Sequence, residues 1–286
     1  MKKCYDYNKT YLKILGTDTH GKIIKIVQMK CVLKAGYEQA MYHLDKRTGE
    51  LIENVKKKNA VKCSVNDEKL SCNVSRTKSM IFEYAFCNDW DYFFTGTLDE
   101  AKYVRDDLEK YHKDFTQWLR DYKKRTGQKI DFLLIPELHK DGKSWHMHGF
   151  LKGVPFENLH QFQIGDKMGK AIAEKVKRGE IVYDWCDYSK KFGFCDLEPI
   201  KSAEGVSKYV TKYITKDLAN CVTKLNAHMF YHSRPLNRAV TVKSGIMYAD
   251  IIPDFENEYC RILTCAYSDE VYNRFLSKFD LDGDVT

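Results

Sequence analysis

Two histidines one residue apart, His146 and His148, and a carboxylate shortly upstream, Glu137, are the residues in this chain best spaced for metal chemistry. Successive side chains of a strand point to opposite faces. In Trp145-His146-Met147-His148-Gly149-Phe150-Leu151 both imidazoles therefore project one way and Met147 the other. Their Cα atoms then lie about 6.6 Å apart, near enough to converge on one divalent cation. Nine histidines placed at random give His-x-His about once in three or four such chains, so the pair alone carries little weight. Glu137 adds to it. Asp141-Gly142 predicts a tight turn whose register sets residues 136–138 roughly opposite 145–148, on the partner arm of one hairpin. Two imidazoles and one carboxylate leave coordination positions open, the composition of a catalytic centre and not of a closed structural one. His139 falls in the turn and is expected at the surface.

The second group is Tyr209-Val210-Thr211-Lys212-Tyr213-Ile214-Thr215-Lys216. At about 100° per residue, Val206, Val210, Ile214 and Leu218 form the buried stripe of a helix. Tyr209 and Tyr213 flank that stripe on one side, with Lys212 and Lys216 next beyond them. Boundary tyrosines edged by solvent-facing lysines are the plain account of such a face. The repeated Tyr-x-x-Lys, together with a separate set of metal-ligand types, favours a chemical one.

The elements that must position these groups follow from periodicity. Residues 1 to about 78 alternate β-rich runs, Lys22–Val27 and Cys31–Leu33, with turn signals and the basic run Lys56-Lys57-Lys58, which reads as a solvated turn. Met80–Phe86 suits a strand or a short helix, and Tyr92–Thr97 suits a strand. Asp99 is placed to cap a helix reaching about Arg125, with Val104, Leu108, Tyr111, Phe115, Trp118 and Leu119 at helical spacing. Ile130–Pro136 and Ser144–Leu151 are the arms of the histidine hairpin. Helices over 164–178 and 202–218 bracket strands at 181–187 and 192–197. This order describes an α+β domain over 79–240, an antiparallel sheet flanked by helices, with a separate N-terminal region and a C-terminal extension over 241–286.

Composition bounds the partners. A formal charge of +7, carried by 37 Lys and 10 Arg, suits a phosphate-rich ligand. The ten cysteines contain no Cys-x-x-Cys pair, so reduced thiols are expected, with a zinc site built from distant residues such as Cys63 and Cys72 as the competing reading. No run approaches the ~18 apolar residues of a membrane span and the N-terminus lacks a leader-like core, so a cytoplasmic protein without a membrane partner is expected. Gly165-Asp166-Lys167-Met168-Gly169-Lys170-Ala171 lacks the spacing and the Ser/Thr of a nucleotide-binding P-loop.

Taken together, Phe93-Phe94-Thr95-Gly96-Thr97-Leu98, then Glu137 with His146 and His148, then Tyr209/Lys212 and Tyr213/Lys216 resemble the HUH endonucleases. Within them, the chain is similar to rolling-circle replication initiators of plasmids and small single-stranded DNA phages in their two-tyrosine form. Gly96 departs from the pattern, where Thr or Leu is common. The resemblance covers about 79–220 and implies a central antiparallel sheet of about five strands, ferredoxin- or RRM-like. It implies Mg²⁺ or Mn²⁺ held by Glu137, His146 and His148, and a tyrosine, Tyr209 or Tyr213, that links to the 5′-phosphate of nicked DNA with Lys212 and Lys216 as electrostatic support. The partners implied are single-stranded DNA at a replication origin and, without a motor of its own, host helicase and DNA polymerase. An HUH transposase or mobilisation relaxase shares this chemistry. A non-catalytic DNA-binding regulator is the reading of another class.

Overall fold

A computed structural model describes residues 9–29, 42–44, 51–53, 67–139, 141–202, 205, 206, 209, 229–256 and 260–279. In chain order the elements are β1 (Lys9–Thr17), β2 (Gly21–Met29), β3 (Tyr42–Leu44), β4 (Leu51–Glu53), α1 (Asp67–Phe86), β5 (Tyr92–Thr97) and α2 (Leu108–Thr126). Then come β6 (Asp131–Leu138), β7 (Trp145–Lys152), β8 (Leu159–Gln161), α3 (Lys170–Lys177), β9 (Tyr183–Trp185), α4 (Cys186–Lys191), β10 (Cys195–Pro199) and β11 (Tyr231–His232). The chain closes with β12 (Val240–Ile246), β13 (Phe255–Glu256), β14 (Cys260–Ala266) and α5 (Asp269–Leu276). The class is α+β, with antiparallel sheets and several helices. Among the described residues no helix is long and apolar enough to cross a membrane.

The chain forms two units. One takes Met1–Ile14, Ile23–Asn66 and Val240–Thr286, the other Leu15–Lys22 and Asp67–Ala239. The first holds a five-stranded sheet in the order β12-β1-β2-β14-β13. Strands from the two ends of the chain pair directly, Thr10 with Gly245 and Ile26 with Leu263. Its core gathers Leu12, Ile24, Ile26, Met247, Ile251 and Phe279.

The second unit holds a seven-stranded sheet in the order β11-β6-β7-β5-β10-β9-β8, antiparallel throughout, in which short edge strands extend a four-stranded centre. Helix α2 buries Tyr111, Phe115, Leu119 and Tyr122, one stripe at helical spacing, against Phe94, Phe132, Leu134, Met147 and Leu151. The opposite sheet face carries Leu133, Ile135 and Phe150, covered by Ile81 and Ala85 of α1 and by Val206. Strand β6 is buried on both faces, which is why it reads as a continuous apolar run.

Three elements differ from the sequence expectation. Met80–Phe86 is the end of the long helix α1. Helix α2 starts at Leu108, capped by Asp107, whose side chain accepts from the Lys110 N–H at 2.9 Å. Asp99 instead accepts from the Ala101 N–H in a turn, and Val104 is exposed. Helix α3 covers only Lys170–Lys177, because Gln163–Asp166 forms a turn closed by the Asp166 carboxylate on the Gln163 N–H. The helix predicted over 202–218 is described only at residues 202, 205, 206 and 209.

Candidate functional site

Strand pairing builds the site row by row. Across β6 and β7, Glu137 lies opposite His146 and Ile135 opposite His148. Across β7 and β5, His146 lies opposite Thr97 and His148 opposite Thr95. Directly opposed residues of an antiparallel pair share a face, so Glu137, both imidazoles and both threonines crowd one surface. The turn that sets this register is short, with Gly142 at φ 69°, and Asp141 accepts from the Lys143 and Ser144 N–H groups, each at 2.8 Å.

The threonines act on the rings. Thr97 Oγ1 lies 2.8 Å from His146 Nδ1, and Thr95 Oγ1 lies 3.4 Å from His148 Nδ1. Both contacts engage Nδ1, so Nε2 is the atom of each ring left to meet a metal or a phosphate. His148 Nε2 sits 2.9 Å from Glu137 Oε2. Burial, with the charges of His139, His148 and Arg105, pushes His146 down to about 4 against the pull of Glu137. Its ring is therefore neutral at pH 7, the form that ligates metal.

The donor types suit Mg²⁺ or Mn²⁺. As the side chains stand, Glu137 closes on His148 and the two imidazole centroids are 6.2 Å apart. Among the described residues no three His, Cys, Asp or Glu form a cluster able to hold an ion. Three-donor binding requires Glu137, whose side chain is 28% exposed, to swing from His148 toward both rings.

Tyr209 lies on the same face. Its ring stacks on Phe93 at 4.4 Å between centroids and meets Phe150 edge-on at 5.3 Å, and these two residues precede Thr95 and follow His148 by two positions. Its hydroxyl donates to the Phe94 carbonyl at 3.1 Å and accepts from the Gly149 N–H at 3.2 Å. The phenol is thus anchored to the two strands that carry the threonines and histidines. Lys212, Tyr213 and Lys216 lie outside the described residues. So does Cys63, and the side chain of Cys72 is likewise not described; five other cysteines are free thiols.

Two glycines have steric reasons. A Cβ on Gly149 would lie 1.9 Å from the Leu133 carbonyl oxygen, so only glycine lets β6 run this close to the histidine strand. A Cβ on Gly96 would lie 2.6 Å from the Tyr188 hydroxyl and 2.5 Å from the Phe94 ring, which explains glycine where the resemblance leads one to expect Thr or Leu.

Sequence reasoning missed several neighbours. His139 keeps an exposed edge, yet its ring packs against His146 at 4.8 Å. Arg105 accepts the Trp145 N–H on its carbonyl at 3.1 Å, and its charge is felt by His146. Asp196 of β10 lies opposite Thr95 and takes a hydrogen bond from it. Burial, reinforced by Glu198, pushes its carboxyl up to about 7 against Lys175 and that hydrogen bond. The signal available was the alternation of β10, which puts Asp196 and Glu198 on one face.

Residues 91–218, a little under half of the chain, match a family model of replication-associated proteins, the ORF2 type. The match spans β5 to the tyrosine segment and lies wholly within the second unit. It supports a Rep-type protein with a rolling-circle replication-initiator role, a role that implies binding to DNA at an origin. No curated protein and no solved structure matches the chain.

Proposed function

We propose that this chain is an HUH-type endonuclease that nicks and rejoins single-stranded DNA through a tyrosine and so starts rolling-circle replication. The observation that carries the reading is the register placing Thr95, Thr97, Glu137, His146 and His148 on one sheet face, with the Tyr209 ring beside them. Single strands suit this site because a phenol reaches phosphorus in line only where the backbone is unpaired and bent.

In the cleavage step the tyrosine oxygen forms a bond to phosphorus as the P–O3′ bond breaks. The phenolic proton is lost and the 3′ oxygen gains one, leaving a 5′-phosphotyrosine and a 3′-OH for host polymerase. One phosphodiester is exchanged for another, so the reverse step rejoins a strand. Glu137, His146 and His148 would hold Mg²⁺ or Mn²⁺, which when bound supplies charge at a non-bridging phosphate oxygen. Thr95 and Thr97 fix the imidazoles so that Nε2 faces the reacting group. Lys212 and Lys216 supply positive charge to the phenolate or the phosphate. Two tyrosines allow a second cut while the first stays joined to DNA. Unwinding falls to a host helicase.

The test is incubation of the full chain with supercoiled plasmid and single-stranded oligonucleotides in Mn²⁺, read on a denaturing gel. A covalent protein–DNA band is expected, lost with EDTA, with His146→Ala and with Tyr209→Phe/Tyr213→Phe together. The single tyrosine changes identify which residue cuts first. No band from wild type under any of these conditions would overturn the reading.

A further inference from the structure

The site row continues past Thr97. The Thr97 N–H donates to the Phe194 carbonyl at 2.8 Å, one step beyond the Gly96–Cys195 pair, so Phe194, Thr97, His146 and Glu137 form one line across four strands. Thr97 and Phe194 also share the wall of a cleft of about 600 Å³, together with Phe162, Lys102, Arg105 and Lys167. Phe194 is 37% exposed and stacks on buried Phe162 at 5.9 Å, presenting an aromatic face backed by a second ring.

The cations of this cleft are unequally occupied. Lys102 is held by Asp99 at 3.4 Å and by the Ser189 carbonyl at 3.1 Å. Lys167 makes no ion pair among the described residues. Arg105 has a buried Nε without a hydrogen-bond partner, and its Nη1 reaches only to 3.9 Å from the solvent-exposed Glu100. The acids are otherwise engaged. Asp99 accepts from Ala101 and Lys102, and Asp184 accepts from Ser189 Oγ and Cys195 Sγ. A guanidinium fork with spare donors suits a phosphate, and an exposed phenylalanine suits the face of any base.

We infer that this cleft binds one nucleotide of a single DNA strand, its base packed on Phe194 and its phosphate on Arg105 and Lys167. Phe194 lies two strands from His146, roughly 10 Å at the usual strand spacing, so this nucleotide sits within one or two positions of the reacting phosphate. The inference rests on the reading of the imidazole face as a DNA-cleaving site and names the subsite beside it.

The probe is fluorescein-labelled (dT)12, titrated by anisotropy without metal. Phe194→Ala and Arg105→Gln should each weaken binding about 5- to 30-fold, and Phe194→Tyr should restore it to within about 2-fold, which a folding defect would not allow. Photocrosslinking of wild type to an oligonucleotide bearing 5-iodouracil should place the adduct on Phe194 or Phe162. Unchanged affinity in both variants, or crosslinks only elsewhere, overturns the subsite even if the covalent nick product forms. If (dT)12 binds and the variants weaken it, yet no covalent product forms with any DNA, the cleft stands and the endonuclease reading falls. If wild type binds no single strand, both fall.

Discussion

At the residue scale the threonine–histidine contacts decide how the imidazoles point. Thr97→Val keeps the shape and removes the hydroxyl 2.8 Å from His146 Nδ1. It should lower Mn²⁺ affinity by about 10- to 100-fold, measured by calorimetry, with little change in melting temperature. Asp196 gives a pH signature. Its folded-state value near 7 lies above the unfolded value of 3.8, so the folded chain holds a proton that the unfolded chain has released. That stabilisation is complete below the unfolded value and is lost as pH rises through about 7. Urea midpoints from pH 4 to 8 should show Asp196→Asn gaining on wild type as pH rises, with the gain flat above 7. The histidine pair and Glu137 could be picked out from residue types and a two-residue turn. Asp196, Arg105 and His139 could not, because each reaches the site through pairing or looping that no local pattern specifies.

Elements show the same division. The hairpin β6–β7 is readable because its register depends on four residues around Asp141-Gly142, and Glu137 does lie opposite His146. The start of α2 is not. Asp99 and Asp107 are both good caps, and Val104 continues the apolar spacing by chance while standing 61% exposed. Tertiary contacts choose between them: the Arg105 carbonyl takes the Trp145 N–H, which holds 99–107 out of the helix and against the histidine strand. Asp107→Ala should cost about 1 kcal/mol in chemical denaturation, whereas Asp99→Ala should leave the helix start unchanged. On the other face, Glu83 of α1 is 2% exposed and takes two bonds from Arg238, at 3.1 and 2.8 Å. Arg238→Ala strands that carboxylate. A loss of about 2–3 kcal/mol is expected, below the range for fully buried pairs because the arginine is half exposed. Arg238→Ala with Glu83→Gln should recover much of it.

For the whole molecule, the five-stranded sheet joins strands from the two ends of the chain, with the second unit inserted between them in sequence. Pairs such as Thr10 with Gly245 have no sequence signature, since strand periodicity says which face is buried and not which partner is met. The family match falls inside the inserted unit and says nothing of this sheet. A net charge of +7 and a phosphate-bearing partner lead to a further expectation. Affinity for single-stranded DNA should fall with salt on a log–log slope of about −2 to −4, as for release of a handful of counterions. The most direct measurement is the covalent product itself: wild-type chain, origin-containing single-stranded DNA labelled at its 5′ and 3′ ends in separate reactions, and Mn²⁺. Label from the 3′ side should migrate with the protein on a denaturing gel, and label from the 5′ side should appear as a shorter free strand ending in 3′-OH. Both labels on free fragments, or no cleavage while the DNA is bound, would contradict a tyrosine nucleophile.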